Sequence, residues 1–372
     1  MTDRAVSTGL RAARTARGWS QADAARELAA LARARGQPVA VAASLKTLLS
    51  RWENGHALPE SQYRALLGEL YGRTPQELGV EGPDQSTPPV AADRLRAGIA
   101  AAVAVEHTAL DLWWEQLAVA SRIDDELGAA GAGELVRAQV EQLDDTLTYT
   151  LAPAARTAVA GVLAGAAALA GSQALDRGRH DEAWRRYDRA RTAAQEAGLP
   201  VAVAVAGQAA VLVDVDEVAA AGALLDHADP TASENAQVRL AAARALTCAA
   251  AGEDTAAREA ITAAERSWRR TPVDVVTRRG SPVVELADLH RWHGRTLVEL
   301  GDATAVGLLE RALAARPRSA RHRAAVHADL ALALATTRPD EAAEHARAAR
   351  ELARSIGSER IPARLSALGT TP

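Results

Sequence analysis

The sequence has 372 residues, a formal net charge of -4, one cysteine, no phenylalanine and only 3% aromatic residues. This length exceeds what one hydrophobic core usually organises, so at least two structural units are expected. The alanine- and leucine-rich composition favours packed helices over sheets and predicts an all-α fold, while the single Cys248 excludes an intramolecular disulfide and a multi-cysteine metal site.

The sequence shows no membrane-directed segment. The amino-terminal residues lack the uninterrupted apolar core of a secretory signal, and no segment approaches the roughly 20 strongly apolar residues needed to span a bilayer. The alanine-rich run 158–170 is interpreted as too weakly hydrophobic. We therefore expect a cytoplasmic protein with no membrane partner.

Charge is distributed unevenly along the chain. Residues 1–80 contain eleven Lys or Arg against seven Asp or Glu, a charge of +4, which leaves -8 for the remainder. A basic unit joined to an acidic one is typical of a nucleic-acid-binding module fused to a module with another task.

The first two predicted helices follow from glycine and capping residues. One covers residues 7–17 and ends at Gly18, a residue that readily adopts the left-handed conformation of a helix end. The next begins after Ser20, with Asp23 at the third position, where its carboxylate meets free backbone amides. This second helix is expected to run to about Arg35.

The third predicted helix begins near Ser44 and ends at Asn54. Its apolar residues recur at i, i+3, i+4 and i+7, the spacing of one buried helix face. They are Leu45, Leu48, Leu49 and Trp52. The opposite face is small, polar and cationic, and it consists of Ser44, Lys46, Thr47, Ser50 and Arg51.

Two motifs in these helices resemble a known family. Ser-Gln-Ala-Asp at 20–23 and Leu-Ser-Arg-Trp-Glu-Asn-Gly at 49–55 resemble the Cro and phage-repressor type (XRE-family) helix-turn-helix proteins. The runs 63–72 and 74–78 are similar to that family's final helices. One departure is that about fourteen residues, 30–43, replace the family's tight turn between the second and third helices.

The resemblance implies that residues 1–80 form a DNA-binding domain whose third helix enters the major groove, which is about 12 Å wide and admits one helix. It implies base contacts from Lys46, Thr47 and Arg51, and a phosphate contact from Gln21 at the start of the second helix. Lys46 is the only lysine in the sequence.

Neighbouring positions complete this expectation. Ser44 and Ser50 belong to the same expected DNA-binding face, whereas Trp52, Glu53 and Asn54 are interpreted as structural residues that fill the core and end the helix. The alternative is that the whole polar face is ordinary solvated surface.

The remaining chain divides into a linker and a helical body. Residues 81–90 are rich in turn formers and predict a linker. Residues 91–155 are expected to form a helical connecting or dimerisation region, followed by a repeat domain at 156–372. Trp113 and Trp114 mark a dimer contact, a pocket wall or ordinary core, and the sequence leaves these alternatives open.

Similar residue spacings recur in the body. Gly178 and Gly252 are each followed at +5, +9 and +12 by alanine, a large apolar residue and alanine. Gly301 begins a third copy that is one residue shorter, and residues 340–349 carry a fourth. A degenerate copy around Ala219 would fill the gap. Equivalent positions recur at 37 residues or twice that interval, apart from one interval lengthened by a predicted loop, 271–282.

These spacings resemble the tetratricopeptide repeat, and the whole chain resembles actinobacterial regulators that join such repeats to the DNA-binding domain above. The resemblance implies stacked helix pairs whose first helices line a concave groove. On the family's register the lining residues are Arg239, Asp288, Arg291, Arg295 and His327. Such a wall suits a peptide, a carboxylate or an acidic partner, or is a solvated helix face with incidental arginines.

No catalytic motif is found. The sequence contains no phosphate-binding loop, no nucleophile elbow and no zinc-protease helix. His290 and His293 share a helix face, but no acidic or cysteine cluster accompanies them, so no metal site, cofactor or enzymatic activity is expected.

Together these patterns predict a sequence-specific regulator that binds double-stranded DNA as a homodimer and responds to a peptide or small-molecule effector. The alternative is a repeat scaffold for protein–protein interaction with a DNA-anchoring head. A response of DNA binding to a low-molecular-weight fraction would separate the two.

Overall fold

The computed structural model describes residues 8–37, 39–80, 91–103, 107–228, 233–270, 284–317 and 319–369. Over these residues the fold is helical without any strand, which confirms the predicted all-α class. The chain divides into two compact units, Met1–Arg94 and Leu95–Pro372. The predicted linker at 81–90 and the predicted loop at 271–282 lie outside the described residues.

The first unit is built from four helices. They are α1 (Thr8–Ala16), α2 (Gln21–Ala34), α3 (Ala42–Glu53) and α4 (Ser61–Tyr71). The start of α2 is fixed by a capping box, because the Ser20 hydroxyl accepts from the Asp23 backbone amide at 3.1 Å and the Asp23 carboxylate accepts from the Ser20 amide at 2.9 Å. Because α2 runs to Ala34 and α3 begins at Ala42, the stretch 30–43 is partly helical. α3 begins two residues earlier than predicted.

The core of the first unit is made of leucines. Those with no or almost no exposed surface are Leu10, Leu28, Leu45, Leu49, Leu66, Leu67 and Leu78. Gly9 allows α1 to approach the backbone after α4, since a Cβ atom there would lie 2.4 Å from the carbonyl oxygen of Glu77. The buried side of α3 thus faces this core, as its apolar spacing predicts.

The second unit is also helical. Its helices are α5 (Ala91–Val103, which begins at the boundary), α6 (His107–Tyr149), α7 (Pro153–Asp176), α8 (His180–Glu196), α9 (Ala202–Asp214), α10 (Val218–Asp226), α11 (Glu234–Ala250), α12 (Asp254–Arg270), α13 (Leu286–Glu299), α14 (Ala305–Ala314), α15 (Ala320–Leu334), α16 (Pro339–Ile356) and α17 (Arg360–Leu365). A short 3-10 turn, Ser366–Gly369, follows α17.

Helix α6 is interrupted at Gly128, whose φ of 61° and ψ of -159° are not helical. The Gln139 side-chain amide donates to the carbonyl of Trp113 at 2.8 Å, although 26 residues separate them. A continuous helix would hold these residues about 39 Å apart. The two halves of α6 therefore run antiparallel, as a helical hairpin.

The helices from α7 to α16 pair consecutively, each first helix packing on the one that follows it. Gly178, Gly252 and Gly301 lie between the helices of three pairs with φ of 69°, 76° and 68°, a conformation that favours glycine. Within a pair, a small residue of the first helix lies under a large one of the second. A Cβ atom on Gly171 would lie 2.9 Å from the Tyr187 ring.

Helix α7 contains the alanine-rich run 158–170. By length and composition it is apolar enough to cross a bilayer, with a mean hydropathy of 1.6, so the sequence interpretation understated its hydrophobicity. However, 67% of this stretch is buried against other helices, and Val159 and Leu163 have no exposed surface. Such burial is what the core helix of a globular unit shows.

The beginning and end of the second unit contact each other. Asp124 in the first half of α6 accepts from Arg321 of α15 at 2.9 and 3.0 Å, across 197 residues of sequence. Gly128 packs against Ile356 at the end of α16, where an added Cβ would lie 2.5 Å from that of Ile356. The paired helices are therefore closed into a ring by these contacts.

Candidate nucleic-acid interface and inner face of the second unit

The polar side of α3 is open to solvent. Ser44, Lys46, Thr47 and Arg51 are exposed and Ser50 is half-buried. Within the described part of the chain, no hydrogen bond or ion pair engages the side chains of Lys46 and Arg51. Because the other side of α3 is buried, these cationic groups are held on a rigid helix and point away from the core.

The carboxylate of Glu53, at the last position of α3, is fully buried. Arg14 of α1 donates from Nε to Oε1 at 2.6 Å and from Nη2 to Oε2 at 3.0 Å. Burial alone raises the pKa of Glu53, but hydrogen bonds from Arg14 and Gln21 outweigh it and hold this pKa below its ordinary value of 4.5. The pair fastens α1 to the end of α3.

Gln21 belongs to the same cluster. Its amide nitrogen donates to Oε2 of Glu53 at 2.9 Å, which ties the start of α2 to the end of α3. Thus the residue expected to contact phosphate donates one of its two side-chain N–H groups to a carboxylate within the unit.

Asn54 completes the contacts between α1 and α3. Its side-chain oxygen accepts from Arg11 at 3.0 Å and its amide nitrogen donates to the carbonyl of Ser50 at 2.7 Å. Together with the buried Trp52, which is 3% exposed, these contacts give Glu53 and Asn54 roles in positioning α3. The sequence predicts Glu53 and Asn54 as residues that end the helix. The ion pair between Glu53 and Arg14 of α1 is an additional contact that the sequence analysis does not predict.

We expect Glu53→Gln to lower the stability of the first unit by about 2 kcal/mol, since hydrogen bonds to charged groups contribute about 1.5–3 kcal/mol. Glutamine keeps the shape but removes the charge opposite Arg14. Hydrogen exchange of α3 amides in the full-length chain measures this local stability.

A matched control is Glu69→Gln, which breaks the exposed ion pair with Arg35 and should cost less than about 0.5 kcal/mol. The lowered pKa means that Glu53 stabilises the unit above the unfolded-state value near 4.5 and that this contribution is lost as the pH falls through the folded-state pKa. The deficit of Glu53→Gln should therefore shrink in acid. Equal exchange rates for this variant and wild type at neutral pH would contradict the assignment.

Three of the five predicted groove residues lie together. Arg291 donates to Asp288 at 3.1 Å, and the guanidinium of Arg239 lies 5.7 Å from the centre of the Trp292 ring. Burial lowers the pKa of both Arg239 and Arg291, against the opposing effect of Asp288. These side chains are half-buried and interact with one another, and their role in lining an effector groove stays a prediction.

The other two predicted groove residues differ from each other. Arg295 is ion-paired with Glu299 and also contacts Asp329 of α15 at 3.3 Å. By contrast, His327 packs against His345 of α16, with 2.9 Å between their Nδ1 atoms. His327 thus contacts the second helix of its own pair, and its role in lining a groove stays a prediction.

Part of the surface formed by the first helices of the pairs is covered by α17, which contacts α7, α9 and α15. We call the surface under it, formed by α7, α9, α13 and α15, the inner face. Its charged residues that the sequence did not single out are Asp176, Asp214, Arg321 and Asp329, joined by Arg360 and Arg364 of α17. Their partners are 34 to 197 residues away in sequence, so no local spacing could have indicated them.

Other candidate sites are less developed. Within the described residues no group of three or more His, Cys, Asp or Glu side chains could hold a metal ion. Trp114 lines a surface cavity of about 290 Å³ with Leu110 and Leu199, and Trp113 packs on the same apolar cluster. The tryptophan pair is therefore partly core and partly cavity wall.

Comparisons of the chain with protein-family models, with curated proteins and with solved structures found no match.

Proposed function

We propose that the chain is a sequence-specific transcriptional regulator that binds double-stranded DNA, with α2 and α3 as a helix-turn-helix and α3 as the recognition helix. The observation that carries the proposal is the exposed cationic face of α3, backed by a buried stripe and braced by Glu53. A helix presented in this way can enter a major groove while its neighbours rest on the phosphates.

In this proposal each exposed residue of α3 has a role. The guanidinium of Arg51 forks onto the two acceptors of a guanine, Lys46 reaches a guanine or a phosphate, and the methyl group of Thr47 contacts a thymine. Ser44 and Ser50 supply shorter hydroxyl contacts. Gln21 keeps one N–H of its side-chain amide on Glu53 and donates the second N–H to a phosphate oxygen.

We further propose that the helix pairs of the second unit are tetratricopeptide-like repeats. Support comes from the glycines between paired helices and from small residues packed under large ones, such as Gly294 under Leu309. In this view the protein is a cytoplasmic member of the XRE-type regulators, acts without a cofactor or catalysis, and binds a peptide or small-molecule effector through its second unit.

A homodimer is part of the proposal. One small head makes few base contacts, whereas two matched half-sites add their discrimination free energies. The operator is therefore expected to be nearly palindromic, with half-site centres about 34–36 Å apart, or a multiple of that distance.

Selection from random duplexes with the full-length protein tests this directly. Sequencing of the retained DNA is expected to show an enriched motif with two related halves at that spacing. A parallel selection with Lys46→Ala/Arg51→Ala should enrich nothing, because the cationic face is gone. Retained DNA indistinguishable from the input pool would contradict the proposed function.

A further inference from the structure

The segment after α16 is seated on the inner face of the second unit. Ile361 and Leu365 of α17 are each 2% exposed, so its apolar side is buried. Arg360 donates from Nε and Nη2 to the two oxygens of Asp214 in α9, at 2.5 and 2.7 Å. This forked contact is the geometry in which arginine recognises a carboxylate most strongly.

Further contacts hold both ends of α17. Arg364, one turn after Arg360, pairs with Asp329 of α15, which is 1% exposed. Before the helix, the Ser358 hydroxyl donates to Oδ1 of Asp176 and the Glu359 amide donates to the carbonyl of the same residue, both at 2.9 Å. α17 therefore touches α7, α9 and α15 at once.

The charge balance of the inner face depends on α17. Ion pairs join five arginines to six carboxylates, namely Arg291, Arg295, Arg321, Arg360 and Arg364 with Asp124, Asp176, Asp214, Asp288, Glu299 and Asp329. Two of these arginines come from α17. Without α17, three arginines would face six carboxylates, one of which, Asp124, belongs to the neighbouring α6, and Arg239 of α11 beside Asp288 would add one more cation. Asp214 would then have no arginine partner, whereas Asp176 keeps Arg321 and Asp329 keeps Arg295. An acidic surface then remains, which is the reverse of the cationic wall expected from the sequence.

The connection to α17 is short and glycine-led. Gly357, with φ of 69°, ends α16, and only Ser358 and Glu359 precede the six residues of α17. A helix of six residues is unstable alone, because its few backbone hydrogen bonds do not offset the free-energy cost of helix nucleation. α17 is held in place by its two arginine pairs, by the hydrogen bonds of Ser358 and Glu359 to Asp176, and by Ile361 and Leu365, which pack on α15 and α16. A segment that presents the same groups could replace it.

We propose that the inner face is a binding site for a helical partner segment that presents two arginines one turn apart, each followed by an aliphatic residue, and that α17 is its displaceable internal occupant. The partner supplies the cations and the apolar side that α17 now supplies. Residues 357–369 therefore act as an intramolecular competitor, and the apparent affinity for the partner is reduced by the fraction of molecules in which α17 is seated. Binding at the inner face does not require DNA binding.

The test uses a fluorescein-labelled peptide with the sequence of residues 357–369, followed by fluorescence anisotropy without DNA. The full-length variant Arg360→Ala/Arg364→Ala should bind this peptide at least about tenfold more tightly than wild type, because its own α17 no longer satisfies Asp214. The control variant Arg347→Ala/Arg350→Ala, which removes two exposed arginines from α16, should behave as wild type. A peptide with glutamate at both arginine positions should not bind.

Equal binding of the peptide by wild type and the Arg360→Ala/Arg364→Ala variant would overturn the proposal. A measurement on wild type alone guards against misfolding of the variant: excess peptide should speed hydrogen exchange of the α17 amides, and unchanged exchange would also overturn it. A mixed dimer of wild type and variant that excludes the peptide would show that the occupant is α17 of a second copy, which contradicts a separate partner. Since no DNA is present, failure here leaves the proposed regulator function untouched.

Discussion

Arg51→Ala is expected to remove most of the sequence preference in DNA binding while leaving the first unit folded. Each forked arginine–guanine contact contributes about 1–3 kcal/mol of discrimination, which is roughly 5- to 150-fold at each half-site. In a dimer both half-sites lose this contact. The side chain of Arg51 is exposed and makes no hydrogen bond or ion pair with a described residue, so stability should change by less than about 0.5 kcal/mol.

The measurement is a competition experiment in which the selected duplex is displaced by unrelated duplexes at fixed salt, since DNA affinity depends steeply on salt. Arg73→Ala is a matched control, because it removes one exposed positive charge from the loop after α4. This control should weaken binding to all duplexes equally. If the Arg51 variant retains the wild-type ratio of specific to unspecific affinity, α3 is not the recognition helix.

Asp124→Ala is expected to destabilise the second unit by about 3–5 kcal/mol, the usual cost of removing one partner of a buried ion pair. Asp124 is 2% exposed, and its loss deprives the Arg321 guanidinium of two hydrogen bonds and the Gln173 amide of one. Arg321 is only 16% exposed, so water cannot readily replace the lost carboxylate.

Urea denaturation followed by circular dichroism, with hydrogen exchange of α15 amides to assign the transition, measures this effect. Asp181→Ala serves as control, because it breaks only the exposed ion pair with Arg185 and should cost about 0.5 kcal/mol or less. The double variant Asp124→Leu/Arg321→Met should recover only part of the loss, because the buried carboxylate of Asp176 then loses its own ion pair with Arg321. An Asp124→Ala protein as stable as the Asp181 control would refute the importance of this contact.

Features governed by local chain chemistry could be predicted from the sequence. The hydroxyl of Ser20 and the carboxylate of Asp23 specify the start of α2 with no help from distant residues. Likewise, glycines such as Gly178 mark helix ends because side chains rarely adopt their positive φ. The buried side of α3 follows from the spacing of its apolar residues, since that spacing is set by helix geometry.

The hairpin within α6 was missed although a signal for it existed. Gly128, Gly131 and Gly133 lie within six residues of a helical pattern, and glycine weakens a helix interior. The sequence analysis predicts residues 91–155 only as a helical region and places no break within it. What decides the break at Gly128 is Ile356, which occupies the place of its missing Cβ from more than two hundred residues away.

The closed inner face could not be predicted, because its contacts depend on which distant helices become neighbours. Arg360 and Asp214 are 146 residues apart in sequence, so their ion pair produces no periodic pattern that sequence analysis could detect. Repeat spacing correctly placed Arg291 and Arg295 on first helices of pairs, but it carries no information on what covers them. The DNA-contacting roles of Lys46 and Arg51 remain predictions, although the structure leaves both exposed.

The contact between Asp124 and Arg321 also bears on how the second unit comes apart. Proteins made of stacked helix pairs ordinarily lose structure piecemeal from either terminus, because each pair depends only on its neighbours. Because Asp124 and Arg321 join the first helical hairpin to the last helix pair, neither of these elements can unfold without breaking its contact with the other. Unfolding of α6 to α16 should then be a single concerted event, which a displaced α17 does not by itself begin.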